Sequence, residues 1–217
     1  MYLTRMRLDI NKRSTMQALA EPKLFHGAIE CSFSGERQRN LWRIDTLNGQ
    51  QYLMLVSKEK PDLTTVAQQF GYPEGSPVWE TRDYTSLLTR IQPGTRWHFR
   101  LTANPTTRGP GSASTGARGK VMPHITAEYQ QRWLLEKAAQ YGFALAEGEF
   151  LAVQNQWYQF RKPQDGNRRI SLLSVTFEGM LTVTDAELFR RTLVEGIGRG
   201  KAYGMGMLTV VRAVNMP

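Results

Sequence analysis

The sequence predicts an α+β protein in which the element order βαββαβ occurs twice. Three observations carry this reading. Short alternating apolar runs recur along the chain, as half-buried strands require. Stretches with helical apolar spacing lie between them, with start and stop signals such as Thr126 before Ala127 and Gly142 after Tyr141. A turn-rich boundary, Gln92-Pro93-Gly94, separates the first set of elements from the second.

In the first set, Tyr2 to Ile10 alternates. Tyr2, Thr4, Met6, Leu8 and Ile10 face a core, and Arg5, Arg7 and Asp9 face out. Asn11 to Ser14 turn the chain. A helix is expected from Pro22 to about Phe33, with proline suited to its first turn. Leu24, Ala28 and Cys31 share one face, which Phe25 and Ile29 widen. His26 lies about 200° from Leu24 at ~100° per residue, so it projects from the polar flank beside Glu30. Leu41 to Asp45 and Gln51 to Val56 read as strands joined by the hairpin signal Asn48-Gly49. Pro61 to Phe70 reads as a short helix, and Asp83 to Ile91 as the fourth strand.

In the second set, Trp97, Phe99, Leu101 and Ala103 face one side of a strand, and His98, Arg100 and Thr102 the other. A loop rich in Gly, Ser, Thr and Arg follows from Pro105 to Pro123. Tyr129, Trp133, Leu134 and Ala138 are expected to point inward from a helix over 127–141. Strands follow at Phe150 to Arg161 and Arg169 to Val183. Thr184 and Glu187 form a capping-box pattern for a helix ending at Glu195, and Met205 to Arg212 is the last strand. Two such sets in tandem predict two ferredoxin-like domains, residues 1–92 and 93–217.

The chain has 217 residues, net charge +9 and ordinary apolar and charged content, which excludes a disordered chain and points to a polyanionic partner. No apolar run approaches the ~20 residues of a membrane-spanning helix, so no membrane partner is expected. The N-terminal stretch alternates rather than forming a signal-peptide core. With Cys31 as the one cysteine, no internal disulfide exists, and a cytoplasmic location is expected.

The positive charge is concentrated. Tyr84 to Ala127 contains no Asp or Glu but holds Arg90, Arg96, Arg100, Arg108, Arg118 and Lys120, as a binding face would. A hairpin turn at Asp165-Gly166 is flanked by Arg161, Lys162, Arg168 and Arg169. Like charges opposed across a hairpin repel. The group is either a solvated edge or a basic finger for a nucleic-acid groove. Five glycines fall in the eleven positions from Gly196 to Gly206, with Arg199, Lys201 and Tyr203 between them. Backbone amides around Gly198 and Gly200 suit an anion nest; a plain connection between helix and strand is the alternative. Neither the P-loop nor the G-x-G-x-x-G spacing is met.

Three histidines and one cysteine, without paired-ligand spacing, give no metal site, and no cofactor motif is present. His26 is the candidate general acid–base group. A phosphodiester cut without metal suits RNA, whose own 2′-hydroxyl can attack the neighbouring phosphorus.

Four segments occur in order: Met1-Tyr2-Leu3-Thr4, Phe99-Arg100-Leu101-Thr102-Ala103-Asn104-Pro105, Phe177-Glu178-Gly179-Met180-Leu181-Thr182-Val183, and the run from Gly196 to Gly206. They resemble the CasE family of CRISPR-associated endoribonucleases, which belong to the type I-E Cascade system. The resemblance spans nearly the whole chain. It implies two ferredoxin-like domains and metal-independent cleavage at the 3′ base of the stem-loop in precursor CRISPR RNA. The products would be a cyclic phosphate and a free 5′-hydroxyl. The mature guide RNA and the other Cascade subunits are the implied partners. The family histidine falls on His26, the groove-binding hairpin on Arg161, Lys162, Arg168 and Arg169, and the glycine-rich loop on Gly196 to Gly206. Members carry a tyrosine three residues before the histidine. Here that residue is Lys23, a cation one turn from His26 that is expected, with Lys201, to offset phosphorane charge.

Overall fold

The computed structural model describes residues 1–34, 38–74, 77–109, 119–162 and 168–213. Its first sheet contains β1 (Tyr2–Arg7), β2 (Leu41–Leu47), β3 (Gln50–Ser57) and β4 (Trp79–Asp83), in the antiparallel order β2-β3-β1-β4. That is the ferredoxin-like order. One face packs on α1 (Arg13–Ala20), α2 (Lys23–Glu30) and α3 (Thr64–Phe70). Thr4, Met6 and Leu8 bury as the alternation requires, and Phe25, Trp42 and Phe70 form an aromatic cluster with ring centroids 4.8–5.8 Å apart. Burial of such side chains contributes roughly 1.5–3 kcal/mol each.

The second sheet repeats the order. Its strands are β5 (Arg96–Ala103), β9 (Phe150–Lys162), β10 (Arg168–Val183) and β11 (Leu208–Arg212), ordered β11-β5-β10 with β9 beyond β10. A two-residue strand, β8 (Phe143–Ala144), extends the same edge of β10. Between β5 and β8 lie the small ribbon β6 (Thr106–Arg108) and β7 (Val121–Pro123), then α5 (Ala127–Ala138). The helix α6 (Ala186–Glu195) precedes the glycine stretch. Trp97, Phe99, Leu101 and Ala103 bury against Trp133, Leu134, Ala138, Phe189 and Leu193.

Local chemistry moves several expected elements. The segment read as a turn opens a helix, α1. Pro22 lacks an amide proton and keeps Glu21 out of helical geometry, so α1 and α2 are separate. The fourth strand ends at Asp83 instead of beginning there. Asp83 accepts the Thr85 amide at 2.9 Å and starts a single helical turn, α4 (Thr85–Leu88). Ile10 lies past the end of β1 and is 49% exposed. Phe25 and Ile29 are the buried face of α2, and Cys31 is exposed. Tyr129 is also 49% exposed, under the Arg132 guanidinium. Thr126 does cap α5, but α6 is capped by Asp185, whose carboxylate accepts from Leu188 N at 3.0 Å. A carboxylate there also complements the helix dipole. Arg118 and the Asp165-Gly166 turn lie outside the described residues.

The two sheets share an apolar core that includes Leu41 and Val56, and Arg43 on β2 adds a polar knot between them. Its guanidinium is 2% exposed and commits all five N–H donors. Two go to the Asp45 carboxylate, at 2.7 Å each. Three cross to the second sheet: to Arg100 O and Met207 O at 2.9 Å, and to Thr209 Oγ1 at 2.8 Å. Arg100 Nε lies 3.1 Å from Asp45 Oδ1, yet makes no hydrogen bond in that direction, so this contact is ionic. Arg100 also pairs with Glu178. The arrangement meets the requirement that buried charges be paired and hydrogen-bonded.

Removing one partner from such a site costs about 3–5 kcal/mol. Arg43→Met should therefore lower the melting temperature by roughly 10 °C, measured by thermal denaturation. A melting temperature unchanged within a degree or two would mean that this knot does not join the two sheets.

Candidate active site and nucleic-acid interface

His26 sits on α2, which packs against a short 3₁₀ turn, Lys201–Tyr203, inside the glycine stretch. Between them is an open cavity of about 340 Å³, lined by His26, Glu30, Gln38, Arg39, Asn40 and Lys201. The histidine comes from the first sheet's helical layer and Lys201 from the loop before β11. Burial, then the charge of Arg39, holds the Lys201 ammonium below the ordinary lysine range; Glu195 opposes this weakly. The shift reflects first the burial of the ammonium and second the nearby Arg39 guanidinium, both of which disfavour the charged form.

Lys23 is turned elsewhere. Its ammonium donates to Arg161 O at 3.3 Å, lies 3.2 Å from Glu21, and sits 5.7 Å above the Phe160 ring. It does not line the His26 cavity. Phe160 in turn packs on Tyr203, with ring centroids 5.2 Å apart. Lys23 thus ties α2 to the root of the basic hairpin, and Phe160 ties that root to the glycine stretch.

The hairpin register sets Arg161 opposite Arg169 and Lys162 opposite Arg168. Arg161 and Arg169 are both exposed, and Arg169 also bonds the Gln159 side chain. Arg108 and Lys120 are exposed on and beside the β6–β7 ribbon, where Gly109 N donates to Lys120 O at 2.9 Å. Arg199 is exposed on the glycine stretch.

The glycines divide by role. A Cβ on Gly196 would approach Leu41 to 2.8 Å, and one on Gly204 would approach the Trp42 ring to 2.8 Å; both have positive φ. These positions need glycine because the loop lies directly on β2 of the other sheet. Several amides are also consumed inside the protein: Ile197 N donates to Gly206 O at 2.8 Å, and Gly206 N to Thr102 O at 2.6 Å. Gly198 N faces the Tyr141 hydroxyl at 3.4 Å. Gly198 and Arg199 line one open cavity beside the stretch, and Lys201 and Ala202 line the His26 cavity.

Sequence reasoning missed Arg39 and Asn40. They lie between the expected helix and the strand at Leu41, where the charged run Glu36-Arg37-Gln38-Arg39 was the available signal. It also gave no sign that Phe160 and Tyr203 would meet. Among the described residues, no group of three or more His, Cys, Asp or Glu side chains is placed to hold a metal ion. No helix among them is long and apolar enough to cross a membrane.

Comparison with known proteins follows the same outline. A family model described as CRISPR associated protein matches residues 1–212. The CRISPR-associated endoribonuclease Cse3 of Thermus thermophilus is 31% identical over 223 residues, covering 97% of this chain and 99% of the relative. Thermus thermophilus Cse3 bound to an RNA representing a pre-cleavage complex matches with TM-score 0.77 and 28% identity, over 97% of this chain and 98% of that one. Cas6e from Escherichia coli K-12 shares the fold, with TM-score 0.59 and 19% identity over 98% of this chain and 100% of that one. The chain therefore belongs to the CasE (Cse3) family of CRISPR-associated proteins.

Proposed function

We propose that the protein is a metal-independent endoribonuclease of precursor CRISPR RNA. It binds the repeat stem-loop, cuts at the 3′ base of the stem, and keeps the mature guide RNA as a cytoplasmic subunit of Cascade. It uses no cofactor. Residues 1–92 form the domain carrying the histidine, and residues 93–217 the domain carrying the basic hairpin and glycine stretch.

One observation supports this above the others. His26, Arg39 and Lys201 line a single open cavity, at the place where the root of the basic hairpin reaches α2. A phosphate there meets two cations and an imidazole. The 2′-oxygen bonds to phosphorus while the bond to the 5′-oxygen breaks, leaving a 2′,3′-cyclic phosphate and a 5′-hydroxyl. His26 takes the 2′-proton or returns one to the departing oxygen. Lys201 and Arg39 offset the charge that builds on the phosphorane. Lys23 acts at one remove, by fixing α2 against the hairpin. Arg161, Lys162, Arg168 and Arg169 follow the stem's groove, with Arg108, Arg118, Lys120 and Arg199 on the flanking phosphates.

A second reading, a non-catalytic subunit that only holds the RNA hairpin, is favoured by one feature. The position of the family tyrosine is Lys23, whose ammonium is engaged away from the cavity.

Repeat RNA incubated in EDTA should be cut to a cyclic-phosphate product. His26→Ala should slow cutting by about 10²–10⁴-fold without loss of binding. Cleavage abolished by EDTA, or full activity in His26→Ala, would overturn the mechanism; tight binding with no product from the wild type would select the second reading. Lys201 loses its proton below the ordinary 10.5, so its cation disappears early as pH rises. The cleavage rate should fall on the alkaline side, and Lys201→Arg, which stays protonated, should remove that fall. Identical alkaline limbs in both proteins would mean that the Lys201 charge is not used.

A further inference from the structure

The glycine stretch has a second flank. Opposite the His26 cavity lies another of about 280 Å³, lined by Asn104, Arg108, Trp133, Lys137, Tyr141 and Arg199, with Gly198 at its rim. No acid lines it. Among the described residues, Arg108 and Arg199 have no ion-pair partner, and Lys137 contacts only the neutral Gln140 side chain, at 3.3 Å. Three cations therefore converge without compensation, which costs electrostatic energy unless an anion completes the site.

Two further features point to more than a bare phosphate. Asn104 is 7% exposed, and its Oδ1 is buried with no hydrogen-bond partner. An unpaired buried acceptor is costly, and a ligand that donates a proton to it relieves that cost. The Tyr141 hydroxyl lies 3.4 Å from the Gly198 amide that donates to it, which leaves its own proton free to donate to a ligand. Gly198 lies flat against Trp133, where a Cβ would meet the ring at 3.5 Å, so the loop edge stays low beside the cavity.

Gly198 borders this cavity and Lys201 borders the other. Three residues of chain span at most about 10 Å, so the two cavities lie within a few nucleotides of each other along one bound strand. We propose that this second cavity is a nucleotide subsite. It holds a backbone phosphate within about three nucleotides of the cut on Arg108, Lys137 and Arg199, and a ribose 2′-hydroxyl that donates to Asn104 Oδ1. The subsite rests on the RNA-processing reading above and adds to it a defined point of strand register.

The test uses the full chain and its repeat stem-loop with flanking nucleotides, kept intact by a 2′-deoxy residue at the cut. Lys137→Gln/Arg199→Gln should weaken binding by about tenfold or more and reduce the salt slope by roughly one unit. A single methylphosphonate within three nucleotides of the cut should cause the same loss in the wild type and no further loss in the double variant. In the wild type, a 2′-deoxy scan over those nucleotides should show one further sensitive position, which Asn104→Leu makes insensitive. Wild-type affinity and slope in the double variant, while Arg161→Ala still weakens binding, would overturn the subsite and leave the RNA-processing reading standing. A scan of the wild type with no sensitive position would overturn the Asn104 contact without relying on any variant. Failure of the wild type to bind repeat RNA at all would overturn both.

Discussion

The protein depends on one buried guanidinium. Each sheet packs one face on its own helices, and Leu3, Leu41, Met54 and Val56 on the first sheet's other face join the apolar core of the second sheet. Within that interface Arg43 places all five donors on acceptors, two on Asp45 of β2 and three on β5, on β11 and on Met207 just before β11. A buried ion pair is weak evidence for stability, since desolvation offsets much of its attraction. What this one supplies is geometry. It adds directional bonds that set the angle and register at which β2 meets β5 and β11.

The glycine stretch is placed by the same contact. Gly196 and Gly204 lie on Leu41 and Trp42, the two residues of β2 before Arg43. Any side chain at those positions would push the loop away from the first sheet, and Lys201 away from His26. The glycines that looked like a phosphate cradle are therefore mainly a means of close approach. That approach brings a histidine on one sheet's helix and a lysine on the other's loop to one cavity, and leaves the loop edge between two cavities.

Much of the fold was legible because its signals are local. Alternation in β1 and β5, Asn48-Gly49, and Thr126 before α5 each depend on a few neighbouring residues. The failures occurred where a side chain found a partner close in space or a proline intervened. Pro22 split a helical region in two, and Asp83 turned a strand into a helix start. The site divided in the same way. His26 was legible from its flank of a helix. Arg39 was not, because its role depends on Lys201, far along the chain. Lys23 shows the same limit: sequence spacing puts it one turn from His26, while its ammonium bonds Arg161 O and Glu21 from another direction.

In the proposed reaction the RNA supplies its own nucleophile, and the protein supplies an imidazole and two cations around one cavity. The most direct measurement replaces the ribose on the 5′ side of the cut with 2′-deoxyribose. Binding should remain at the level of the unmodified RNA, with no product at any time. Cleavage of the deoxy substrate at the same bond would contradict the claim, because water or another external group would then have to be the nucleophile.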